Sequence, residues 1–577
     1  MSDVVFITPN MKKDFSGESL GTLQLTTILE QQGVHCHILS FARIGKTTDF
    51  EAFIASALEQ IAEQQPKIVS FYTRCDSYHI SLRLAERIKA RWNDMYIVFG
   101  GPQSDTTAED TVDCIPYVDF VCCGEGETTI YPFFSSLLRG QPDRSIPGLV
   151  YREGDTVVKN PRPTLVADLD SLPMLDYSVI QASGDCGDIS PILFPIDVGR
   201  GCPFGCTYCS TKSFWGRKYR TKSPQRIYEE IKEIHERFGN TGFKFNHDMF
   251  TFNRKTITET CRLLKTLDFP IHWTCSARLD CLDPELIDTM VDAGMFRVFV
   301  GIETGSKRMQ KLINKNLKLD KAVETLNYLK TKNIVVTTSF IYGFPEETQE
   351  DLCQTMALIA DILHNHCGRV SAHLCTFLSR TELSERYMSQ MTRTNTYTDF
   401  TGNIAIAECE DLIQNYPQLF PHFMEYRTEL RDKLKYLGIF FRAWSYMEPV
   451  YHYLAEQYGT DRLLDLYYDF VEANREFLEQ TDKMRLNQAA LFVLANDRLP
   501  LRLENDPVYD LVKDCYRMVA TENSQSVMTG GNATEVYCFD PRERLKVASI
   551  RDYQRCVAVV AYANRKVKVQ TFPAKPM

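Results

Sequence analysis

Three cysteines lie within eight residues of the segment Arg200-Gly-Cys-Pro-Phe-Gly-Cys-Thr-Tyr-Cys-Ser210. Cys202, Cys206 and Cys209 have the spacing C-x3-C-x2-C, so one tight loop can present all three thiolates. Iron–sulfur clusters are held by thiolates at short spacings, and three thiolates leave one iron of a [4Fe–4S] cluster open, as in a catalytic metal site. The alternatives are structural thiols or a zinc knuckle, which would need a fourth Cys or His close by. The next histidine is His235.

A strand predicted over residues 192–198 delivers this loop, and strands and helices alternate after it. Short apolar runs indicate strands, whereas an apolar residue at every third or fourth position indicates a helix. Counted from the first strand, the pattern gives a six-fold β/α series. The other predicted strands are 242–246, 272–276, 297–302, 335–341 and 369–376, and the predicted helices are 224–238, 253–267, 283–293, 319–332 and 348–362.

The cysteine spacing resembles the signature of the radical S-adenosylmethionine (SAM) enzymes, and the six-fold series resembles their partial (β/α)6 barrel. The resemblance implies that the open iron binds the amino and carboxylate groups of SAM. One electron then cleaves SAM to methionine and a 5′-deoxyadenosyl radical. Barrel enzymes place their chemistry at the carboxyl ends of the strands, so the residues at those ends are the candidates for binding SAM.

Five residues are candidates in this resemblance. Asp248 matches the family's position that contacts the SAM amino group, because an ammonium needs an oxygen acceptor; a helix N-cap is the alternative. Arg278 could hold a carboxylate in a bidentate fork or form a plain salt bridge. Glu303 could accept hydrogen bonds from ribose hydroxyls or from the amino group, and Gly343 lies in a segment that resembles the one against adenine. Tyr208 could pack near the adenine or simply within its own loop.

The first 150 residues also alternate strands and helices, which indicates a doubly wound, Rossmann-like parallel sheet. Ligands of such sheets bind at the carboxyl ends of the strands. Two glycine-rich segments, residues 100–102 and 124–128, follow the fourth and fifth predicted strands at these ends. Glycine allows a ligand to approach the backbone closely, although each segment alone could be an ordinary βα turn. The predicted strands are 4–8, 34–41, 67–73, 95–101 and 118–124, and the predicted helices are 17–33, 50–64, 77–92 and 127–138.

Three segments resemble, in order, the N-terminal cobalamin-binding domain of the B12-binding radical SAM proteins. They are Val69-Ser-Phe-Tyr-Thr-Arg74, Val98-Phe-Gly-Gly-Pro-Gln103 and Asp119-Phe-Val-Cys-Cys-Gly-Glu-Gly-Glu127. The resemblance implies that cobalamin is bound by the residues of the two glycine-rich segments, Gly100, Gly101, Gly124, Glu125 and Gly126.

The sequence departs from the cobalamin proteins that supply an axial histidine, because it has no D-x-H-x-x-G motif. In Asp76-Ser-Tyr-His79 the spacing is different and the glycine is missing, so His79 is interpreted as an ordinary helix residue. A cobalamin whose cobalt has no histidine ligand would resemble that of the radical SAM methylase branch. A degenerate domain that binds nothing is the alternative.

These patterns predict four segments. Residues 1–145 form a cobalamin-binding-like domain, and residues 146–190 form a hairpin over 147–159 followed by a linker rich in Pro and Asp. Residues 191–385 form the radical SAM core. Residues 386–577 form a mainly helical region with a short β tail.

The last segment resembles no family. Residues 411–458 and 460–496 are predicted as long helices rich in aromatic residues, which we interpret as core; a cap over the barrel mouth is the alternative. A polar loop over 524–533 precedes two tail strands, predicted over 557–562 and 566–571. Cys538 and Cys556 in this tail do not form a second C-x3-C-x2-C set.

The formal net charge of −10 argues against a nucleic-acid scaffold, which would carry a basic face. No secretory signal and no run of eighteen apolar residues is visible, so we expect no membrane span. Nineteen cysteines without an export signal indicate a reducing cytoplasm.

The resemblance implies a cobalamin-dependent radical SAM methyltransferase that acts on an unactivated carbon of a natural product or peptide, with an electron donor such as flavodoxin or ferredoxin. Ring closure or rearrangement without methyl transfer is the alternative, and a binding protein without turnover is disfavoured by the intact cysteine triad. A methylthiotransferase would need cluster cysteines in its N-terminal domain. The cysteines there show no such pattern: Cys36, Cys75, Cys114, Cys122 and Cys123.

Overall fold

The computed structural model describes residues 1–10, 19–45, 49–182, 193–332, 334–365, 367–394, 398, 400, 401, 405–446, 455, 458–480, 558–563 and 566–571. The chain forms two compact units. The first contains Met1–Val298, Thr376–Asn395 and Phe400–Tyr426, and the second contains Phe299–Cys375, Thr396–Asp399 and Arg427–Met577.

Seven strands form the first sheet of the first unit: β1 (Val4–Thr8), β2 (Cys36–Ser40), β3 (Ile68–Tyr72), β4 (Tyr96–Gly100), β5 (Phe120–Cys122), β6 (Leu149–Glu153) and β7 (Thr156–Lys159). Their order across the sheet is β2-β1-β3-β4-β5-β6-β7. The strands β1 to β5 pair in parallel, and β6 pairs antiparallel with both β5 and β7. The predicted doubly wound sheet is confirmed, and the predicted hairpin forms its antiparallel edge.

Seven helices accompany this sheet: α1 (Leu20–Gln31), α2 (Phe41–Ile44), α3 (Phe50–Gln64), α4 (Tyr78–Arg91), α5 (Pro102–Thr106), α6 (Ala108–Cys114) and α7 (Ile130–Leu138). All five residues of β1 are buried, which explains why the parallel strands read as unbroken apolar runs. The sequence did not predict α2, α5 and α6, because helices of four to seven residues are too short to show a helical period.

The first unit continues with the strands β8 (Phe194–Asp197), β9 (Gly199–Arg200), β10 (Arg220–Thr221), β11 (Gly242–Asn246) and β12 (His272–Ala277), and with the helices α8 (Ser178–Ala182), α9 (Thr211–Trp215), α10 (Pro224–Phe238), α11 (Arg254–Leu264) and α12 (Pro284–Asp292). Strand β11 pairs in parallel with β8 and with β12. The short strands β9 and β10 pair antiparallel, with Arg200 opposite Arg220. This pair closes the base of the segment that carries the three cysteines.

Strand β13 (Met295–Glu303) begins in the first unit and ends in the second. The second unit continues with α13 (Lys307–Leu312), α14 (Leu319–Lys330), β14 (Val335–Tyr342), α15 (Gln349–His364) and β15 (Arg369–Leu374), and β14 pairs in parallel with β15. A capping box begins α15: the Thr348 hydroxyl accepts from the Asp351 amide, and the Asp351 carboxylate accepts from the Thr348 amide. All six strands and all five helices predicted for the β/α series are present.

The rest of the chain is built from short elements: α16 (Glu382–Tyr387), β16 (Thr392–Arg393), α17 (Glu410–Asn415), β17 (Met424–Glu425), α18 (Glu429–Lys433), α19 (Leu437–Tyr446), α20 (Leu463–Ala473), α21 (Arg475–Gln480), β18 (Ala558–Ala563) and β19 (Lys566–Thr571). The single long helix predicted over 411–458 is therefore wrong. Pro417 and Pro421 interrupt it, because proline has no amide hydrogen for a helix interior.

The aromatic residues of these helices belong to the core, as predicted: Phe420 and Phe423 are fully buried in the first unit, and Phe440 and Trp444 are buried in the second. The two predicted tail strands are confirmed as the antiparallel hairpin β18–β19. The second long helix was predicted over 460–496, but the structure describes this range only as far as residue 480, and there it contains the two helices α20 and α21. The polar loop predicted over 524–533 lies outside the described residues. Within the part of the chain that the structure describes, no helix is long and apolar enough to cross a membrane.

Candidate functional site

The cysteine loop connects β9 to α9 in the first unit. Cys202, Cys206 and Cys209 are free thiols, and each is partly exposed. Burial raises the pKa of Cys202 to about 11, with contributions from the other two thiols. Burial also raises the pKa of Cys209, with a contribution from Cys206. Thiols that influence one another's ionisation in this way lie close together.

Backbone amides support two of the sulfurs. The amide of Phe204 donates to Cys202, and the amide of Thr211 donates to Cys209. Such hydrogen bonds stabilise the ionised thiolate that binds iron. Among the described residues, no three His, Cys, Asp or Glu side chains converge on a position for a single metal ion. Each thiolate of an iron–sulfur cluster binds a different iron, so three neighbouring free thiols on one loop fit a [4Fe–4S] group.

Asp248 follows β11 and is joined directly to the cysteine loop. Its carboxylate accepts from the amide of Gly201 at 2.8 Å and from the Thr211 hydroxyl at 3.4 Å. Asp248 is exposed, yet the surrounding protein desolvates the carboxylate enough to raise its pKa. The carboxylate is therefore open to solvent on one side and packed against protein on the other. The alternative role as a helix N-cap is wrong, because Asn253 caps α11 by accepting from the amide of Thr256.

Arg278 lies at the end of β12 and is buried. Its guanidinium donates from Nε and Nη2 to the two carboxylate oxygens of Asp280, at 3.0 and 2.8 Å. The same guanidinium lies over the ring of Phe204, 3.8 Å from its centroid. Phe204 belongs to the cysteine loop, so Arg278 supports that loop through a cation–π contact while its fork is occupied by Asp280. Its predicted role as a ligand for SAM stays a prediction.

Glu125, one of the predicted cobalamin-binding residues, connects the first sheet to the base of the cysteine loop. Its buried carboxylate accepts from Arg200 Nη1 at 2.8 Å, from Arg220 Nη1 and Nη2 at 2.9 and 2.8 Å, and from the amide of Val166 at 2.6 Å. Glu127 also pairs with Arg200, at 2.6 Å. Burial alone would raise the pKa of Glu125, but its hydrogen bonds with Arg220 and Arg200 outweigh burial and lower it. A cofactor-binding role for Glu125 stays a prediction.

The glycines of the two glycine-rich segments are packed against protein atoms. Gly101 has φ of +92°, and a Cβ there would lie 2.8 Å from the amide nitrogen of Thr73. Gly124 also has positive φ, and its amide donates to the carboxylate of Asp105 at 2.6 Å. A Cβ on Gly126 would lie 3.1 Å from Leu25, whereas Gly100 has more room. Close packing of loops explains Gly101 and Gly124, and their contact with cobalamin stays a prediction.

His79 is fully buried in α4, and its ring packs edge-on against Phe423 with centroids 5.7 Å apart. The interpretation of His79 as an ordinary helix residue is confirmed. Tyr208 is partly exposed within the cysteine loop, which leaves both its packing role and its predicted contact with adenine open.

Glu303 ends β13 in the second unit and is buried with a positive φ of 72°. Residues other than glycine rarely adopt this conformation, which concentrates at functional sites. Its carboxylate accepts from Lys315 Nζ at 3.1 Å, and Lys315 is also buried. This ion pair fixes the position of the carboxylate. Hydrogen bonding from SAM to Glu303 stays a prediction.

Gly343 follows β14 in the second unit and has φ of +77°. Its amide donates to Glu347 Oε2 at 2.5 Å, and its carbonyl accepts from Arg431 Nη1 at 2.6 Å. Burial raises the pKa of Glu347 to about 7. Glu347 and Arg431 were not predicted from the sequence, because a glutamate before a helix and an arginine in a helix carry no distinctive local signal. Together they fix the conformation of the segment for which an adenine contact is predicted.

Two family models match the chain. Residues 196–359 match the radical SAM superfamily, and residues 12–132 match the B12 binding domain. The first match covers β11 and β12 and the cysteine loop, and the second covers most of the first sheet.

Curated relatives align with about half of the chain. An uncharacterized methyltransferase of Pyrococcus horikoshii is 29% identical over 296 residues, which is 51% of this chain and 64% of the relative. An anaerobic magnesium-protoporphyrin IX monomethyl ester cyclase of Cereibacter sphaeroides is 24% identical over 52% of this chain and 50% of the relative. The chain thus spans between half and two thirds of the length of these relatives.

A solved structure of the cobalamin-dependent S-adenosylmethionine radical enzyme OxsB, with aqua-cobalamin bound, is similar in fold. It aligns with 92% of this chain and 81% of its own length, at a TM-score of 0.60 and 14% sequence identity. At this identity the likeness shows a shared fold.

Proposed function

We propose that the chain is a cobalamin-dependent methyltransferase of the B12-binding radical SAM type, because a B12 binding domain model and a radical SAM model match consecutive parts of it. Its substrate would be an unactivated carbon of a natural product or peptide. The observation that carries the proposal is the loop of three neighbouring free thiols, joined to Asp248 on one side and to Glu125 of the first sheet on the other.

Cys202, Cys206 and Cys209 would hold the [4Fe–4S] cluster, and Asp248 would accept from the SAM amino group. The chemistry that the bound groups supply is one-electron cleavage of SAM and methyl transfer through cobalt. The protein's own contribution is to position the bound groups and to exclude water from them. Asp248 fixes the start of the cysteine loop through the Gly201 amide, and Arg278 supports the loop through Phe204.

A specific observation favours a second candidate. The cyclase relative matches the chain over 311 residues, a length similar to that of the methyltransferase match. Ring closure or rearrangement without methyl transfer therefore remains the alternative reaction.

We also propose a cytoplasmic location and a one-electron donor such as flavodoxin or ferredoxin. All fifteen cysteines within the described residues are free thiols, which is typical of a reducing compartment.

The experiment uses the full chain, reconstituted anaerobically and supplied with cobalamin, SAM and dithionite. Bound cobalamin, 5′-deoxyadenosine and S-adenosylhomocysteine are quantified together. A methyltransferase should bind cobalamin and form both products, because SAM serves as radical source and as methyl donor. Cobalamin binding with 5′-deoxyadenosine alone would favour the cyclase reaction, and absence of cobalamin binding would refute the assignment of the first domain.

A further inference from the structure

A short basic segment follows the third cysteine. Residues 211–222 contain five cationic side chains and no acidic one, although the whole chain has a formal net charge of −10. Two of the five are neutralised by carboxylates: Arg220 pairs with Glu125, and Lys222 pairs with Glu230 at 2.7 Å. The other three are Lys212, Arg217 and Lys218, all of which are exposed. No carboxylate among the described residues forms an ion pair with these three.

The basic segment wraps around the cysteine loop. The amide of Thr211 donates a hydrogen bond to Cys209. Arg217 places its guanidinium against Gly205, and the backbone carbonyl of Lys218 lies against Gly201. A side chain on Gly201 would clash with that carbonyl, and one on Gly205 would displace the guanidinium. Gly216 and Arg217, directly after α9, have positive φ of 60° and 62°. The basic segment therefore lies against the cysteine loop at Gly201 and Gly205.

An apolar surface adjoins the basic segment, because Tyr219 of that segment packs against Phe252 with ring centroids 5.0 Å apart. Phe252 is 47% exposed, and its ring meets that of Phe204 in the cysteine loop, with centroids 6.0 Å apart and planes nearly perpendicular. Protein interfaces commonly combine an apolar centre with a polar, charged rim. Phe204 and Phe252 would supply the centre, and the basic segment would supply the rim.

We propose that Lys212, Arg217 and Lys218 form the docking surface for an acidic one-electron donor protein of the flavodoxin or ferredoxin type. This inference rests on the proposed function, in which the donor gives up one electron and that electron is consumed in cleaving one SAM. Electron transfer between proteins requires close approach of the two redox centres, and the basic segment lies against the loop that would hold the cluster. A cationic surface on an acidic protein steers an acidic partner to this place, because weak redox encounters depend on charge complementarity.

The test compares two double charge reversals in the full-length reconstituted protein. Lys212→Glu/Lys218→Glu, the rim variant, reverses two of the three charges of the proposed rim and leaves Arg217 and its contact with the loop intact. The matched control is Lys232→Glu/Lys265→Glu, which reverses two exposed lysines on α10 and directly after α11. Both variants change the net charge equally, so a general charge effect would appear in both.

Binding of flavodoxin and of ferredoxin is measured by titration calorimetry at low and high salt, without SAM, so that the readout does not depend on turnover. We expect wild-type binding to weaken with salt, the rim variant to bind about tenfold or more weakly at low salt, and the control to stay within about twofold of wild type. A milder Lys212→Gln/Lys218→Gln variant should lie between wild type and the rim variant. Equal losses in rim and control variants, or no binding of either donor to the wild type, would overturn the docking surface.

Formation of 5′-deoxyadenosine with dithionite separates this inference from the proposed function. The rim variant should keep the wild-type yield with dithionite, because a small reductant needs no docking surface. A wild-type protein that forms no 5′-deoxyadenosine with dithionite would refute the proposed function, whatever the donor titrations show. A rim variant that loses dithionite-dependent activity as well would assign the lysines to the integrity of the loop and would refute docking.

Discussion

Replacing Glu125 with Gln should destabilise the first unit far more than an ordinary surface substitution. The carboxylate is almost completely buried and accepts four hydrogen bonds, three of them from Arg200 and Arg220. Removing one partner of a buried ion pair costs about 3–5 kcal/mol. Glu127 and Asp197 would still pair with Arg200, so we expect a cost near the lower end, about 3 kcal/mol. Most of that cost would come from Arg220, because the substitution removes its carboxylate partner.

Equilibrium urea denaturation of the cluster-free protein measures this cost. For a urea dependence of roughly 3 kcal/mol per molar, the midpoint should fall by about 1 M. The matched control is Glu153→Gln, which removes a carboxylate from an exposed pair with Arg144, 3.2 Å apart. Exposed pairs contribute about 0.2–1 kcal/mol, so the control should shift the midpoint only slightly.

The dependence on pH tests the ionic origin of the effect. The pKa of Glu125 is lowered in the folded state from 4.5. A lowered carboxyl pKa contributes stability that is fully present above pH 4.5 and is lost as pH falls through the folded-state value. The difference in the free energy of unfolding between wild type and Glu125→Gln should therefore become smaller below pH 4.5. The reasoning would be refuted if this difference were no larger than that for Glu153→Gln at neutral pH, or if it stayed unchanged in acid.

Three further predictions concern the site itself. Cys206→Ser should abolish the brown chromophore of the reconstituted cluster and 5′-deoxyadenosine formation; retention of both would sink the cluster assignment. Asp248→Asn should weaken SAM binding by about tenfold with unchanged iron content, measured by equilibrium dialysis, because an amide lacks the charge that attracts an ammonium; equal affinity would remove Asp248 from the SAM site. Glu347→Gln should be at least as stable as wild type at pH 8, because a carboxyl pKa raised from 4.5 to about 7 lowers the stability of the wild type as pH rises through that interval. Thermal unfolding checks this: the melting temperature of the variant minus that of the wild type should be larger at pH 8 than at pH 6, and a smaller difference at pH 8 would contradict the prediction.

Sequence reasoning was most successful where the signal is local. The predicted strands 4–8 and 242–246 and the predicted helices 50–64 and 224–238 match the structure at both ends, because burial and helical period repeat within a few residues. The same reasoning was wrong over 411–458, where aromatic residues suggested a continuous helix. There the prolines divide the chain into short elements that bury their aromatic rings in the core, and burial alone does not require one long helix.

The sequence by itself determined the cysteine triad, the two β/α series and the order of the two domains, since each is written in the spacing of nearby residues. Only the tertiary structure decided the partners of Glu125 and Gly343 and the packing of Arg278 over Phe204. Glu125 meets Arg200 and Arg220 across 75 and 95 residues of chain, and Gly343 meets Arg431 across 88. Ion pairs and hydrogen bonds between residues so far apart leave no periodic trace in the sequence, because they depend on how whole strands and helices pack.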